Sequence, residues 1–226
     1  MEPADAAARR ALVAAGVRLG ARGLIVATEG NLSVRLGETL LITPAGRRKD
    51  ELEPDEIVRV PLVPPDELPP HLGPPSSPGG PAPSSPGGPA PSSDLAIHRA
   101  IYRARPDVAA IAHAHLPAAL ALTLVGEAPD PAVLPESALL LPELPVVPYG
   151  VPGSLELAQR VAATLAPAPA RTGPNAVLLE RHGAIAVGPD LATAVDRLEL
   201  VELLCRVWRD ARLLAPRRRP GPPSPG

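Results

Sequence analysis

Near the start of the chain, apolar residues recur at intervals of three and four, at Ala8, Leu12, Ala15 and Leu19. This spacing predicts an amphipathic helix from Pro3 to about Leu19. Gly20 and Gly23 end it. The spacing then shortens: GLIVA, LSVRL and TLLITP are rich in branched side chains and separated by polar or glycine-bearing turns, which predicts three strands. TEGN joins the first two, and LEPDEIVRV predicts a turn and a further short strand. Helical spacing returns at Ser93. In DLAIHRAIYRARP the apolar positions are Leu95, Ile97, Ala100 and Ile101, with Ser93 as cap, Asp94 as an acid in the first turn and Arg105 before Pro106 as the stop. DVAAIAHAH alternates with period two and predicts a strand, LPAALALTLVG a short helix and PVVPYG a short strand. SLELAQRVAATLA predicts a helix capped by Ser154. AVLLE and GAIAVG predict strands on either side of a tight RHG corner, and LATAVDRLELVELLCRVWRDARLLA a long closing helix.

Between Pro61 and Pro91 the patterning stops. Pro, Gly and Ser dominate, and the unit PSSPGGPA occurs in tandem at 75–82 and 83–90. Such a segment buries too little surface to offset the entropy of ordering it. It reads as an insertion at about 64–90 inside one domain spanning 1–215, or else as a domain boundary. The roughly 60 residues ahead of it are a marginal length for independent folding, and structured patterning resumes directly after it, so the insertion is the expectation. By composition, the tail 216–226 is disordered.

The chain of 226 residues is 45% apolar and has no Phe, one Trp and two Tyr, so its core must be built from Leu, Val, Ile and Ala. A formal net charge of −2 provides no basic field for nucleic acid or an anionic membrane. The expected partners are small molecules or other subunits. Cys205 stands alone and makes no internal disulfide. No apolar run approaches the ~18 residues of a membrane span, and no charged-then-apolar leader opens the chain, so a cytoplasmic setting is the expectation.

The chemistry centres on IAHAHL. In a strand, residues two apart project from the same face, so His113 and His115 can converge on one cation, or can simply fill the polar face of an edge strand. His182, directly before Gly183 in ERHGAIAVG, is presented from a sharp corner. Asp94 adds a carboxylate at a helix start. Three neutral imidazoles and a carboxylate make a coordination set for zinc or a similar divalent ion. His98, four residues after Asp94, reads as a packed or hydrogen-bonded residue behind the ligands, and His71 as solvated. Gly30 with Asn31, Ala45 with Gly46, and Ser92 with Ser93 are small, hydrogen-bonding positions in turns. The last pair opens a helix whose free N–H groups attract an anion. Beside a metal, they point to a small phosphorylated substrate.

In this order, TEGNLSVR, LLITPAG, PSSDLAIHRAIYRARPDVAAIAHAH, VPYGVPGSLELAQ and LLERHGAIAVG resemble the class II aldolase/adducin family over about residues 5–212, the insertion apart. The resemblance implies a three-layer α/β/α fold around a mostly antiparallel central sheet, assembled as a homotetramer with active sites between subunits. In catalytic members such as fuculose phosphate aldolase, a Zn2+ ion is held by histidines matching His113, His115 and His182. The acid matching Asp94 serves there as ligand and general base, and the phosphate-binding positions match Gly30, Asn31, Ala45, Gly46, Ser92 and Ser93. The implied activity is cleavage of a small sugar phosphate, such as a ketose 1-phosphate, through a metal-stabilised ene-diolate. An epimerase or dehydratase of the same family, or a non-catalytic adducin-like module, are the alternatives. Asp94 stands where the aldolase has Glu and the related ribulose phosphate 4-epimerases have Asp. The aldolase's tyrosines have no match, because Tyr102 lies inside a helix and Tyr149 before a turn. Glu136 in LPES reads as a substitute proton relay or as a surface acid.

Overall fold

The computed structural model describes residues 3–62, 88–168 and 172–215. The expected insertion (apart from 88–90), His71 and the tail from 216 lie outside the described residues.

Helix α1 (Pro3–Ala21) is followed by β1 (Asn31–Leu36), β2 (Thr39–Ile42) and β3 (Val58–Pro61). Next come α2 (Leu95–Ala104), β4 (Ala110–Ala114), α3 (Pro117–Leu124), α4 (Pro135–Leu140) and β5 (Val146–Val147). Helix α5 (Leu155–Leu165), β6 (Ala176–Leu179), β7 (Gly183–Gly188) and α6 (Leu191–Leu214) complete the fold. The strands form one mixed seven-stranded sheet in the order β3-β2-β1-β4-β7-β6-β5. Only the β5–β6 ladder among the described residues is parallel; the others are antiparallel.

Alternation along the strands divides the core in two. Leu41, Ala112, Leu178 and Ala186 join residues of α1, α3 and α6, whereas Leu40, Ile111, Val177 and Ile185 join residues of α2 and α5. Each fully buried Leu or Ile contributes about 1.5–3 kcal/mol. Two buried charged residues tie elements together at their ends. Arg105, just past α2, donates to the carbonyls of Leu165 and Pro174, each at 3.0 Å. Glu202 on α6 accepts the N–H groups of Ala118 and Ala119, satisfying the exposed donors at the start of α3.

Two expectations are corrected. GLIVA is not a strand. The Leu24 N–H closes onto the Leu19 carbonyl at 3.0 Å and the Gly23 N–H onto Gly20 at 2.9 Å, so the segment is used to terminate α1, and Leu24 and Ile25 are buried as its apolar seal. Both edges of β1 are already paired, with β2 and β4, which leaves no vacant edge there for another strand. Ser93 is not the cap of α2 and Asp94 is not in its first turn. The cap position falls on Asp94, whose side chain makes no capping bond, and Ser92 Oγ accepts the Asp94 N–H at 3.3 Å. The Asp94 carboxylate is thereby left for other partners.

Candidate metal centre

His113 occupies the fourth position of β4, and its register partners are Asn31 of β1 and Ile185 of β7. His115 lies just past the end of that strand, and His182 lies in the corner between β6 and β7. The corner is tight because the sheet demands it. Gly183 has φ +126°, and a Cβ there would sit 2.2 Å from the Ala114 carbonyl oxygen, so β7 starts in direct backbone contact with the end of β4. Gly30, with φ +68°, makes the same kind of approach on the other side, where a Cβ would lie 2.7 Å from the His113 carbonyl. The three imidazoles meet with ring centroids 4.8 to 5.2 Å apart, and their donor atoms all lie within 4.8 Å of one another.

His113 Nδ1 donates to the Ala184 carbonyl at 2.9 Å, which fixes the tautomer and leaves Nε2 with a bare lone pair. Burial, then repulsion from His182, pushes the His113 pKa down; burial also lowers that of His182. Both rings are neutral at pH 7, the state a metal ligand requires. Asp94 stands beside this cluster with Oδ2 3.7 Å from His113 Nε2. Burial opposes ionisation of Asp94, but the neighbouring His113 and His182 and the Asn31 amide outweigh it and hold its pKa below the usual carboxylate range. His113 Nε2, His182 Nδ1 and Asp94 Oδ1 are buried with no hydrogen-bond partner. Buried polar atoms are ordinarily satisfied. Three imidazoles whose donor atoms converge, two of them neutral and unpartnered, beside an acceptor-only carboxylate fit a divalent cation.

The predicted anion loops also meet. The Ser92 N–H donates to Thr43 and the Ala45 N–H to Ala90, while Pro44 and Pro91 form a β-bridge. Gly46 and Ser93 are exposed at this junction. Asn31 is engaged differently: its Nδ2 donates to Asp94 Oδ2 at 2.8 Å, and its Oδ1 lies 2.6 Å from His98 Nε2. His98 is fully buried, with both ring nitrogens in hydrogen bonds, and is therefore not aimed at the histidine cluster.

Sequence reasoning passed over four residues here. Lys49 is buried and donates to the carbonyls of Thr28 and Arg47, at 2.8 and 2.7 Å, which clasps the Gly30 loop to the Gly46 loop. Burial, partly opposed by Asp94, lowers its pKa to about 8. In RRKD it looks like one more solvated base. Glu29 carries a carboxylate oxygen 3.6 Å from His115 Nδ1. Ser33 and Tyr102 complete the bonding of His98, and a signal for them existed: Asp94, His98 and Tyr102 fall four apart on one helix stripe, and Asn31 and Ser33 fall two apart on one strand face. Glu136 is exposed in the first turn of α4 and lines a cleft of about 560 Å³ with Arg22, Leu24 and Glu199; none of the histidines lines it.

Residues 10–209 match the family described as Class II Aldolase and Adducin N-terminal domain. The chain is 32% identical over 212 residues to 5-methylthioribulose-1-phosphate/5-deoxyribulose-1-phosphate aldolase of Rhodospirillum rubrum, covering 93% of this chain and 84% of that one. It is 33% identical over 215 residues to methylthioribulose-1-phosphate dehydratase of Acidiphilium cryptum, covering 90% of this chain and 91% of the relative. The crystal structure of L-fuculose-1-phosphate aldolase from Thermus thermophilus aligns with a TM-score of 0.74 at 29% identity, over 97% of this chain and 100% of the other. No helix among the described residues is long and apolar enough to cross a membrane. The matched span, residues 10–209, contains Asp94 and all three histidines, and on that extent the chain belongs to the class II aldolase and adducin family.

Proposed function

We propose that the protein is a zinc-dependent lyase that cleaves a carbon–carbon bond in a small ketose 1-phosphate, working as a homotetramer. The observation that carries this reading is the convergence of three imidazoles beside the Asp94 carboxylate, whose Oδ1 has no partner. His113, His115 and His182 would hold the ion, with Asp94 next to them. When bound, zinc supplies Lewis-acid polarisation of the substrate carbonyl and its adjacent hydroxyl.

The chain's own residues supply the remainder. The junction of the Gly30, Gly46 and Ser93 loops, clasped by Lys49, holds the phosphate and sets the reacting carbons in register with Asp94. Asp94 takes the proton of the C4 hydroxyl as the bond between C3 and C4 breaks; the bond's electron pair moves towards the C2 carbonyl and C4 leaves as an aldehyde. Asp94 then returns that proton to C3, giving dihydroxyacetone phosphate. The same carboxylate could instead take the C3 proton and return it to the C4 hydroxyl, which departs as water. The dehydratase reading therefore stands second, favoured by the similarity to the Acidiphilium cryptum enzyme.

Zinc-loaded protein should release dihydroxyacetone phosphate from at least one ketose 1-phosphate of the pentose and hexose series, followed by coupled NADH oxidation. Inactivity across both series would sink the aldolase reading. Carbon NMR of the products separates the two chemistries, since dehydration keeps the carbon skeleton whole.

A further inference from the structure

Behind Asp94 lies a chain of side-chain hydrogen bonds in which each donor and acceptor role is forced by its neighbour. It starts at the carboxylate. An ionised carboxylate only accepts, so Asn31 must turn its amide N–H towards Asp94 Oδ2, the 2.8 Å contact. Asn31 Oδ1 then faces His98 Nε2 at 2.6 Å, and because an amide oxygen only accepts, Nε2 carries the proton. Burial lowers the His98 pKa to about 4, so the ring is neutral and its Nδ1 is a bare lone pair. Ser33 Oγ, 2.6 Å away, must donate to that lone pair. It in turn accepts the Tyr102 hydroxyl at 2.8 Å, and Tyr102, also buried, keeps its proton because burial raises its pKa. All five side chains are buried.

We infer that Tyr102, Ser33 and His98 form a one-way hydrogen-bond relay that fixes which end of the Asn31 amide meets Asp94, making His98 and Ser33 positioning residues for the proposed reaction. The consequence lies at the carboxylate. With Oδ2 held by Asn31 and lying 3.7 Å from His113 Nε2, the carboxylate oxygen left without a partner beside the cluster's nearest ring is Oδ1. If the amide reversed, its oxygen would face a carboxylate oxygen at hydrogen-bond distance, a contact tolerated only by a protonated Asp94. A protonated acid neither ligates a cation nor removes a proton. The side chains that prevent the reversal come from β1 and α2, elements that reach the centre from opposite sides of Asp94 in the chain, so relay and reacting acid are set by one packing contact.

The catalytic half of this inference rests on the proposed lyase reading; the tautomer half does not. Long-range proton–nitrogen NMR of histidine-labelled, zinc-loaded protein should find His98 neutral, with the proton on Nε2 and Nδ1 bare, its signals assigned by their loss in His98→Gln. A proton on Nδ1, or a doubly protonated ring at neutral pH, overturns the relay whatever the enzyme does. In turnover assays Ser33→Ala should lower kcat about ten- to hundredfold with KM nearly unchanged, the usual effect of removing a partner that orients a ligand. Tyr102→Phe, which leaves Ser33 still donating to His98, should cause a smaller loss. A purely structural role predicts lowered melting temperatures with wild-type kcat in whatever folds, and that result refutes the inference. If Ser33→Ala does not fold, Tyr102→Phe and the tautomer measurement still decide it. Wild-type protein that turns over no ketose phosphate counts against the lyase reading, while the NMR result independently judges the relay.

Discussion

Substitution of Gly183 by Ala tests how the histidines are brought together. The new Cβ would lie 2.2 Å from the Ala114 carbonyl oxygen and 2.8 Å from His115 Cα, both backbone atoms of the segment that carries His113 and His115. Ordinary van der Waals contact for a Cβ begins at 3.4 Å, so β4 and the β6–β7 corner must separate by about 1 Å. The left-handed φ of +126° adds strain of about 1–3 kcal/mol for a residue with a side chain. A displacement of that size moves His182 relative to the other two donors, and a 1 Å misplacement is enough to cost about a hundredfold in a site that depends on geometry. Zinc affinity, measured by competition with a chromophoric chelator, should therefore weaken by about two orders of magnitude, with a lower melting temperature for the zinc-free protein. Gly183→Ala protein with wild-type zinc affinity would refute the claim that the Gly183 contact with Ala114 holds the centre together.

Three other outcomes follow from the same geometry. Asp94→Asn keeps the size of the side chain but removes the acceptor-only carboxylate, so kcat should fall about 10²–10⁴-fold while zinc, held by three imidazoles, is retained in metal analysis. His98 has a pKa of about 4 in the folded chain against about 6.5 unfolded, so the unfolded state binds the proton first. The stability from keeping this ring neutral is whole above pH 6.5 and declines as pH falls towards 4, by about 3 kcal/mol in urea unfolding; a flat profile in that window would contradict its burial as a neutral base. Glu202→Ala strips the acceptor from the Ala118 and Ala119 N–H groups and should destabilise the fold by about 1–3 kcal/mol, read as a melting temperature several degrees lower.

How far the sequence carried depended on whether the determining contact was local. The three histidines were readable because each sits at a feature with its own sequence mark: the period-two alternation of IAHAH, and a His-Gly corner between two apolar runs. The turns proposed to bind an anion were readable as small-residue turns, and the structure does join them, but it commits the Asn31 side chain to Asp94 and His98 rather than leaving it turned outward. GLIVA was misread because its branched residues satisfy the strand pattern, while what decided its conformation was the backbone closure of α1 and the lack of a vacant edge on β1. The cap of α2 moved by one residue because Ser92 Oγ takes the Asp94 N–H, a local choice between two adjacent serines that composition does not resolve. Lys49 and the pairing of Ser33 with His98 were hidden for another reason. Each depends on segments far apart in sequence being pressed together, and a base in a charged run or a serine in a strand carries no mark of its future burial.

The central claim is that one divalent ion sits among His113, His115 and His182 with Asp94 at its side. Anomalous diffraction at the zinc edge, on crystals of protein purified without chelator, tests it most directly. One strong peak per chain is expected, bonded to all three imidazole rings and adjacent to the Asp94 carboxylate. A peak elsewhere on the chain, or none in protein that still turns over its substrate, would contradict it.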